Sequence, residues 1–175
     1  MIDNVLYELH KNGIIVIDTG DSLNSTLTVG ILSSAAGGTW TGFNSTAPCK
    51  LIIETLDPYP KFFIHPDKSN FASNISIAVW CKRNNTPEDF YEYCVTFDTE
   101  LTFDSTVSVR PANETFIIYL TINNLSLVFN SVIDSARGSF SLWLINFTLQ
   151  SGVLGVQDTI NKLLSQGLDI NLIIS

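Results

Sequence analysis

The stretch that decides the fold is 113-NETFIIYLTINNLSLVF-129. Large apolar side chains stand at Phe116, Ile118, Leu120 and Ile122, all even positions, and after Asn123-Asn124 they move to Leu125, Leu127 and Phe129, all odd. A period of two marks a strand with one buried face, and a change of parity sends the later residues to the opposite face unless the backbone gains a residue. Two arrangements fit. One is a single strand of about sixteen residues, roughly 50 Å long, that a β-bulge bends so that the apolar face stays inward. The other is two strands joined by a turn at Asn123-Asn124. The first implies a sheet curved around something apolar.

The segments on either side extend this pattern. Upstream, "IIVIDT", "CKLIIETL", "KFFIHP", "NISIAVWC" and "FYEYCVTFDTELTF" read as strands. Asp57-Pro58 marks a turn between the second and third, and "KRNNTPED" closes a hairpin between the last two. "TVGILSSAAGG" is either a helical turn or a loop, and "DNVLYELHKNG" is a short first helix with Asp3 as N-cap and Gly13 as its stop. Downstream the period changes. Val153, Val156, Ile160, Leu163 and Leu164 recur at spacings of three and four, marking one face of a helix that Gly167 ends. Positions 138–157 carry no charge, which is transmembrane length, but Asn146, Gln150 and Ser151 interrupt the centre, and a helix buried in an apolar wrapper fits better. Strands with a helix at each end give an α+β class.

Composition narrows the function. The 175 residues suit one domain with a sizeable core. Apolar residues make up 45% and charged residues only 15%, below the usual quarter, so the chain buries much of itself or holds something apolar. The net charge of −8 and the nine unclustered Lys and Arg argue against nucleic acid and against docking to an anionic membrane. The first twenty residues show no signal peptide. However, Asn24, Asn44, Asn74, Asn84, Asn113, Asn124 and Asn146 each head a glycosylation sequon, and the expectation is a secreted glycoprotein whose beginning lies outside this sequence.

Cys81 and Cys94 sit on the two strands of one hairpin and are either a cross-strand disulfide or two buried thiols. Cys49 is then left over, as a core residue or as the partner of a cysteine elsewhere. Catalytic chemistry finds no support. His10 and His65 lack ligand partners, so no metal is expected. No serine elbow or phosphate loop is present, and the carboxylates of "PEDFYE" and "DTE" read as solvated. No enzyme activity and no cofactor are expected.

Four stretches together carry a resemblance: "NVLYELHKNGIIVID", "APCKLIIETLDPYPKFFIHPDKSNFASNISIAVWC", "LTINNLSLVFNSVI" and "GVQDTINKLLSQGLDI". Their order resembles the C-terminal half of the family of bactericidal/permeability-increasing protein, lipopolysaccharide-binding protein and the phospholipid and cholesteryl ester transfer proteins. The resemblance implies a long, strongly curved antiparallel sheet wrapped around a long C-terminal helix, with a short N-terminal helix, forming an incomplete half of a tubular lipid-binding fold. It also implies a partner in the remaining N-terminal half of the same protein. The implied function is uptake of phospholipid or other acyl lipid between sheet and helix, for lipid transfer or innate-immune sensing. Val5, Leu6, Leu120, Ile122, Leu125, Leu127, Val153, Val156 and Ile160 are the expected lining. The alternative is a secreted structural or partner-binding module with a filled core and no lipid.

Overall fold

The computed structural model describes residues 7, 11, 16–18, 27–58, 60–64, 69–84, 90–112, 115–149, 157, 161 and 168–169. Seven strands form one antiparallel sheet: β1 (Val16–Asp18), β2 (Lys50–Thr55), β3 (Lys61–Ile64), β4 (Ser69–Lys82), β5 (Tyr91–Ala112), β6 (Thr115–Ser135) and β7 (Leu168–Asp169). Their order is β1-β2-β4-β5-β6-β7. β3 also pairs with β4, further along the same side as β2: residues 50–55 face 75–80, and 61–64 face 69–72. The Asp57-Pro58 turn expected from the sequence thus divides one line of pairing into two strands.

The parity slip is a bulge and not a turn, because β6 runs unbroken from Thr115 to Ser135. Against β5, Asp104 pairs with Asn124 and Ser105 with Ile122, which leaves Asn123 as the inserted residue. Two more insertions follow on the same strand. Asn130 falls between the Thr99–Phe129 and Asp98–Ser131 pairs, and Ile133 between the Phe97–Val132 and Thr96–Asp134 pairs. On β5, Cys94 is extra against the Val79–Trp80 step of β4. Each insertion bends its strand and adds twist. Four in this part of the sheet produce the curved α+β architecture that the single slip implied.

A short helix, Val29–Ala35, settles the segment that was open between helix and loop. Thr28 caps it, its hydroxyl accepting from the Ile31 amide at 3.4 Å. Gly30 donates to the Ser45 carbonyl at 2.9 Å, and a Cβ at this position would meet that oxygen at 2.9 Å, so the close approach requires glycine. A second helix occupies 142–149; it buries Ile145 and Leu149 and leaves Trp143 and Phe147 exposed, with their rings stacked at 5.5 Å. Tyr7 and Lys11 are helical, as expected of the first helix, and so are Gln157 and Asn161 in the last. Among the described residues no helix is long and apolar enough to cross a membrane.

Both helices pack on one end of the sheet. Leu32, Val29, Val79, Val95, Phe97 and Ile145 are fully buried there, with Phe129 edge-on to Phe97 at 5.1 Å. A polar closure rims this end. Glu92 bridges Arg137 and Arg83, the latter at 3.1 Å, while the Arg137 guanidinium lies 4.7 Å over the Phe43 ring.

Candidate functional site

The inner face of the sheet is fixed by its register. Ile122 pairs with Ser105 and Leu120 with Val107, whereas Leu125, Leu127 and Phe129 pair with Phe103, Leu101 and Thr99. All five partners are odd positions of one uninterrupted stretch of β5, so even and odd residues of β6 present the same face on either side of the Asn123 bulge. On β4 the same rows continue through Ser69, Phe71, Ser73 and Ile75, paired with Ser105, Phe103, Leu101 and Thr99.

This face has two zones. From Ile75 to Cys81 on β4 and from Val95 to Thr99 on β5 it is buried beneath the two helices. In the other zone Phe71, Leu101, Phe103, Leu120, Leu125 and Leu127 are each only half-buried, beside the buried Ser69, Ser73, Ser105 and Ile122. Phe71 and Phe103 stack across the β4–β5 pair at 4.6 Å and 11°. The polar residues of this zone are turned to the backbone. The Ser105 hydroxyl donates to the Ser69 carbonyl at 3.3 Å, and the Ser73 hydroxyl donates to the Asn74 carbonyl at 3.2 Å. A floor whose described hydroxyls are already engaged presents an apolar surface. Among the described residues no group of three His, Cys, Asp or Glu is placed to hold a metal ion.

A seam of carboxamides runs along the outer edge of β6. Asn146 accepts from the Phe129 amide at 2.9 Å and donates to the Phe129 carbonyl at 3.0 Å. Asn161 does the same at Ile122, at 2.7 and 2.8 Å. Gln157 accepts from the Leu125 amide at 3.1 Å and donates to the carbonyls of Ile122 and Asn123 at 3.2 and 3.0 Å. Side-chain amides thus supply at these three places the pairing a neighbouring strand would give, and they do so next to the bulges. Positions 146, 157 and 161 are spaced by eleven and four, spacings that bring an α-helix back to one stripe. The sequence offered one clue: Gln157 and Asn161 each follow an apolar residue of the stripe, Val156 and Ile160.

Of the expected lining residues, the structure brings Leu120, Ile122, Leu125 and Leu127 onto one face, with Ile122 buried and the other three half-buried. Val5, Leu6, Val153, Val156 and Ile160 lie outside the described residues. Phe71 and Phe103 were missed, although the alternation Val95, Phe97, Thr99, Leu101, Phe103 already places Phe103 on the inner face. Cys49, Cys81 and Cys94 are all buried free thiols in this structure, the expected Cys81–Cys94 pair included. Its geometry is displaced because Cys81 faces Glu92 while Cys94 is the inserted residue of a bulge. Among the sequons, Asn44, Asn84 and Asn124 are exposed, Asn74 is half-buried on β4, and Asn24 and Asn113 lie outside the described residues. Asn146 has its amide committed to Phe129.

No family model matches the sequence, and no curated protein matches it. Among solved structures, the crystal structure of lipopolysaccharide binding protein matches with a TM-score of 0.56 at 15% identity, over 89% of this chain and 33% of that chain. This chain therefore spans about a third of the length of that protein. At such identity the likeness concerns the fold alone. The curved antiparallel sheet with its helices is an architecture that lipopolysaccharide binding protein shares over a third of its length.

Proposed function

We propose that this chain binds lipid, taking the acyl chains of phospholipid or a related amphiphile onto the inner face of the sheet beyond Leu101. The observation that carries the reading is the half-buried floor of Phe71, Leu101, Phe103, Leu120, Leu125 and Leu127, whose neighbouring serines are hydrogen-bonded away from it. Burial of a methylene contributes about 0.8 kcal/mol, so a sixteen-carbon chain gains on the order of 10 kcal/mol before ordering costs are deducted. The fold likeness to a protein whose title names lipopolysaccharide supports a lipid ligand. The net charge of −8 favours a neutral or zwitterionic headgroup over an anionic one. Export, glycosylation and pairing with a further half of the same protein belong to this reading, as does a role in lipid transfer or sensing without catalysis.

The test is native mass spectrometry of the purified protein together with organic extraction and displacement of a fluorescent fatty acid. Bound phospholipid and micromolar displacement are expected. Phe103→Asp should weaken probe binding at least tenfold, whereas Thr121→Asp on the exposed outer face should leave it unchanged. Circular dichroism of both variants separates lost binding from lost folding. A bare mass, no extractable lipid and no probe binding would replace this reading with a glycoprotein module whose core is filled.

A further inference from the structure

The three thiols form one buried group at the helix-covered end of the sheet. Cys81 and Cys94 are fully buried and Cys49 is 2% exposed. The sulfur atoms of Cys49 and Cys81 are 3.8 Å apart. Cys81 and Cys94 also share a hydrogen bond, so Cys81 has a thiol on either side. Two disulfides are conceivable, and they exclude one another because both need Cys81.

The register separates them. Lys50 pairs with Trp80, and one further antiparallel step sets Cys49 opposite Cys81. Leu51 and Ile53, which share the parity of Cys49, pack against the core, so Cys49 also points inward. Directly opposed residues have Cα atoms about 4.5–5.5 Å apart, inside the window of about 4.4–6.8 Å that a disulfide requires. Cys94 stands two residues beyond Glu92, the partner of Cys81. As the inserted residue of the bulge, Cys94 has no directly opposed partner on β4, so a bond to it would force the bulge to move.

We propose that Cys49 and Cys81 form the disulfide of the mature protein and that Cys94 remains a buried thiol. The bond would staple the segment carrying the 29–35 helix to β4. That segment is otherwise tied to residues 45–49 by its own backbone bonds, Val29 to the Ala47 carbonyl at 3.2 Å and Cys49 to the Leu27 carbonyl at 3.0 Å. The oxidant is a disulfide donor of the glutathione type. Each protein sulfur attacks or is attacked in turn, one S–S bond forms in the protein as one breaks in the donor, and two donor thiols leave with the two electrons and two protons. Only thiolates attack, and in the folded chain Cys49 and Cys81 are both buried and Cys81 is held protonated, so the exchange belongs to folding, before the 29–35 helix closes over them.

The test is refolding of the full chain in a glutathione redox buffer, alkylation of remaining thiols under denaturing conditions, and tryptic mapping without reduction. Trypsin cuts after Lys50, Lys82 and Arg83, so each cysteine falls on its own peptide. One alkylated thiol at Cys94 and a Cys49–Cys81 crosslinked peptide are expected. The same crosslink should form in Cys94→Ala, and reduction should lower the Tm of the wild type by about 10 °C. Oxidant added to chain already folded in reductant should leave three alkylated thiols. Three alkylated thiols after refolding in the redox buffer, a Cys81–Cys94 crosslink in the wild type, or no crosslink in Cys94→Ala would each overturn the assignment.

Discussion

Replacing Asn146 with leucine tests whether side-chain amides close the edge of β6. The wild-type carboxamide satisfies both backbone groups of Phe129, at 2.9 and 3.0 Å, and Phe129 is only 3% exposed. Each such bond contributes about 1 kcal/mol net, and a buried group left without a partner costs about 1–3 kcal/mol. Asn146 is itself half-buried, so water reaches the orphaned groups from one side, and the added apolar atoms of leucine recover part of the loss. The expected destabilisation is therefore about 2–3 kcal/mol, a fall in Tm of about 5–10 °C for a chain of this size. Urea denaturation followed by far-ultraviolet circular dichroism measures it. Asn130→Leu, at an exposed inserted residue of the same strand, is the control and should change stability by no more than about 0.5 kcal/mol. Asn146→Asp adds a second arm. Its carboxylate still accepts from the Phe129 amide but faces the Phe129 carbonyl with like charge, so its deficit against wild type should shrink from pH 7 to pH 4 as protonation restores the donor. Equal stability of Asn146→Leu and Asn130→Leu would refute the edge-closing role.

Three further outcomes follow from the same chemistry. Thr99 is fully buried and among the described residues its hydroxyl has no partner, so Thr99→Val should raise stability by about 1 kcal/mol in urea titrations, and a loss would reveal a partner in the core. In reducing buffer, stability should fall as pH rises past 9. The hydrogen bond with Cys49 and then burial push the Cys81 thiol well above its ordinary 9.0, and the hydrogen bond with Cys81 and then burial do the same for Cys94. The unfolded chain releases both protons near pH 9 while the folded chain keeps them, so the contribution is complete below that pH and shrinks above it by about 1.4 kcal/mol per pH unit per thiol. Urea titrations at pH 8 and 10 check the slope, which Cys94→Ala should roughly halve; a flat wild-type profile would mean solvated thiols. Finally, expression in a glycosylating host should give glycans at the exposed Asn44, Asn84 and Asn124 and none at Asn146, where a sugar would wedge into the seam. Glycopeptide mapping reads this directly, and occupancy at Asn146 in folded protein would contradict the paired bonds to Phe129.

The sheet was legible because its alternation is strong and its breaks are informative. Leu120 and Ile122 against Leu125 and Leu127 encode the Asn123 bulge without any knowledge of β5. The insertions at Asn130 and Ile133 were hidden: Phe129, Val132 and Ile133 admit several registers, and only pairing with Phe97 and Thr99 selects one. The 29–35 helix has seven residues, too few for a helical period to separate it from a loop. The hairpin was read from Cys81 and Cys94, yet the inserted residue at Cys94 moved that cysteine away from the simple cross-strand position. Carboxamides were the hardest to read. Asn146 broke an uncharged run and so counted against a membrane span, but nothing in a linear sequence shows which backbone groups an amide will reach.

Those carboxamides also anchor helical residues beside the half-buried floor. Apolar packing alone is non-directional and would leave the position of such residues along the edge loosely set. Here Asn161 and Gln157 fix the helix backbone to the edge of β6 at Ile122 and Leu125, through bonds of defined length and direction. Among the described residues β7 pairs with Ile117 and Ile118, and further along β6 the edge at Ile122 and Leu125 is met by these amides. The amides thus meet the outer edge of β6 on both sides of the Asn123 bulge, at Ile122, Asn123 and Leu125.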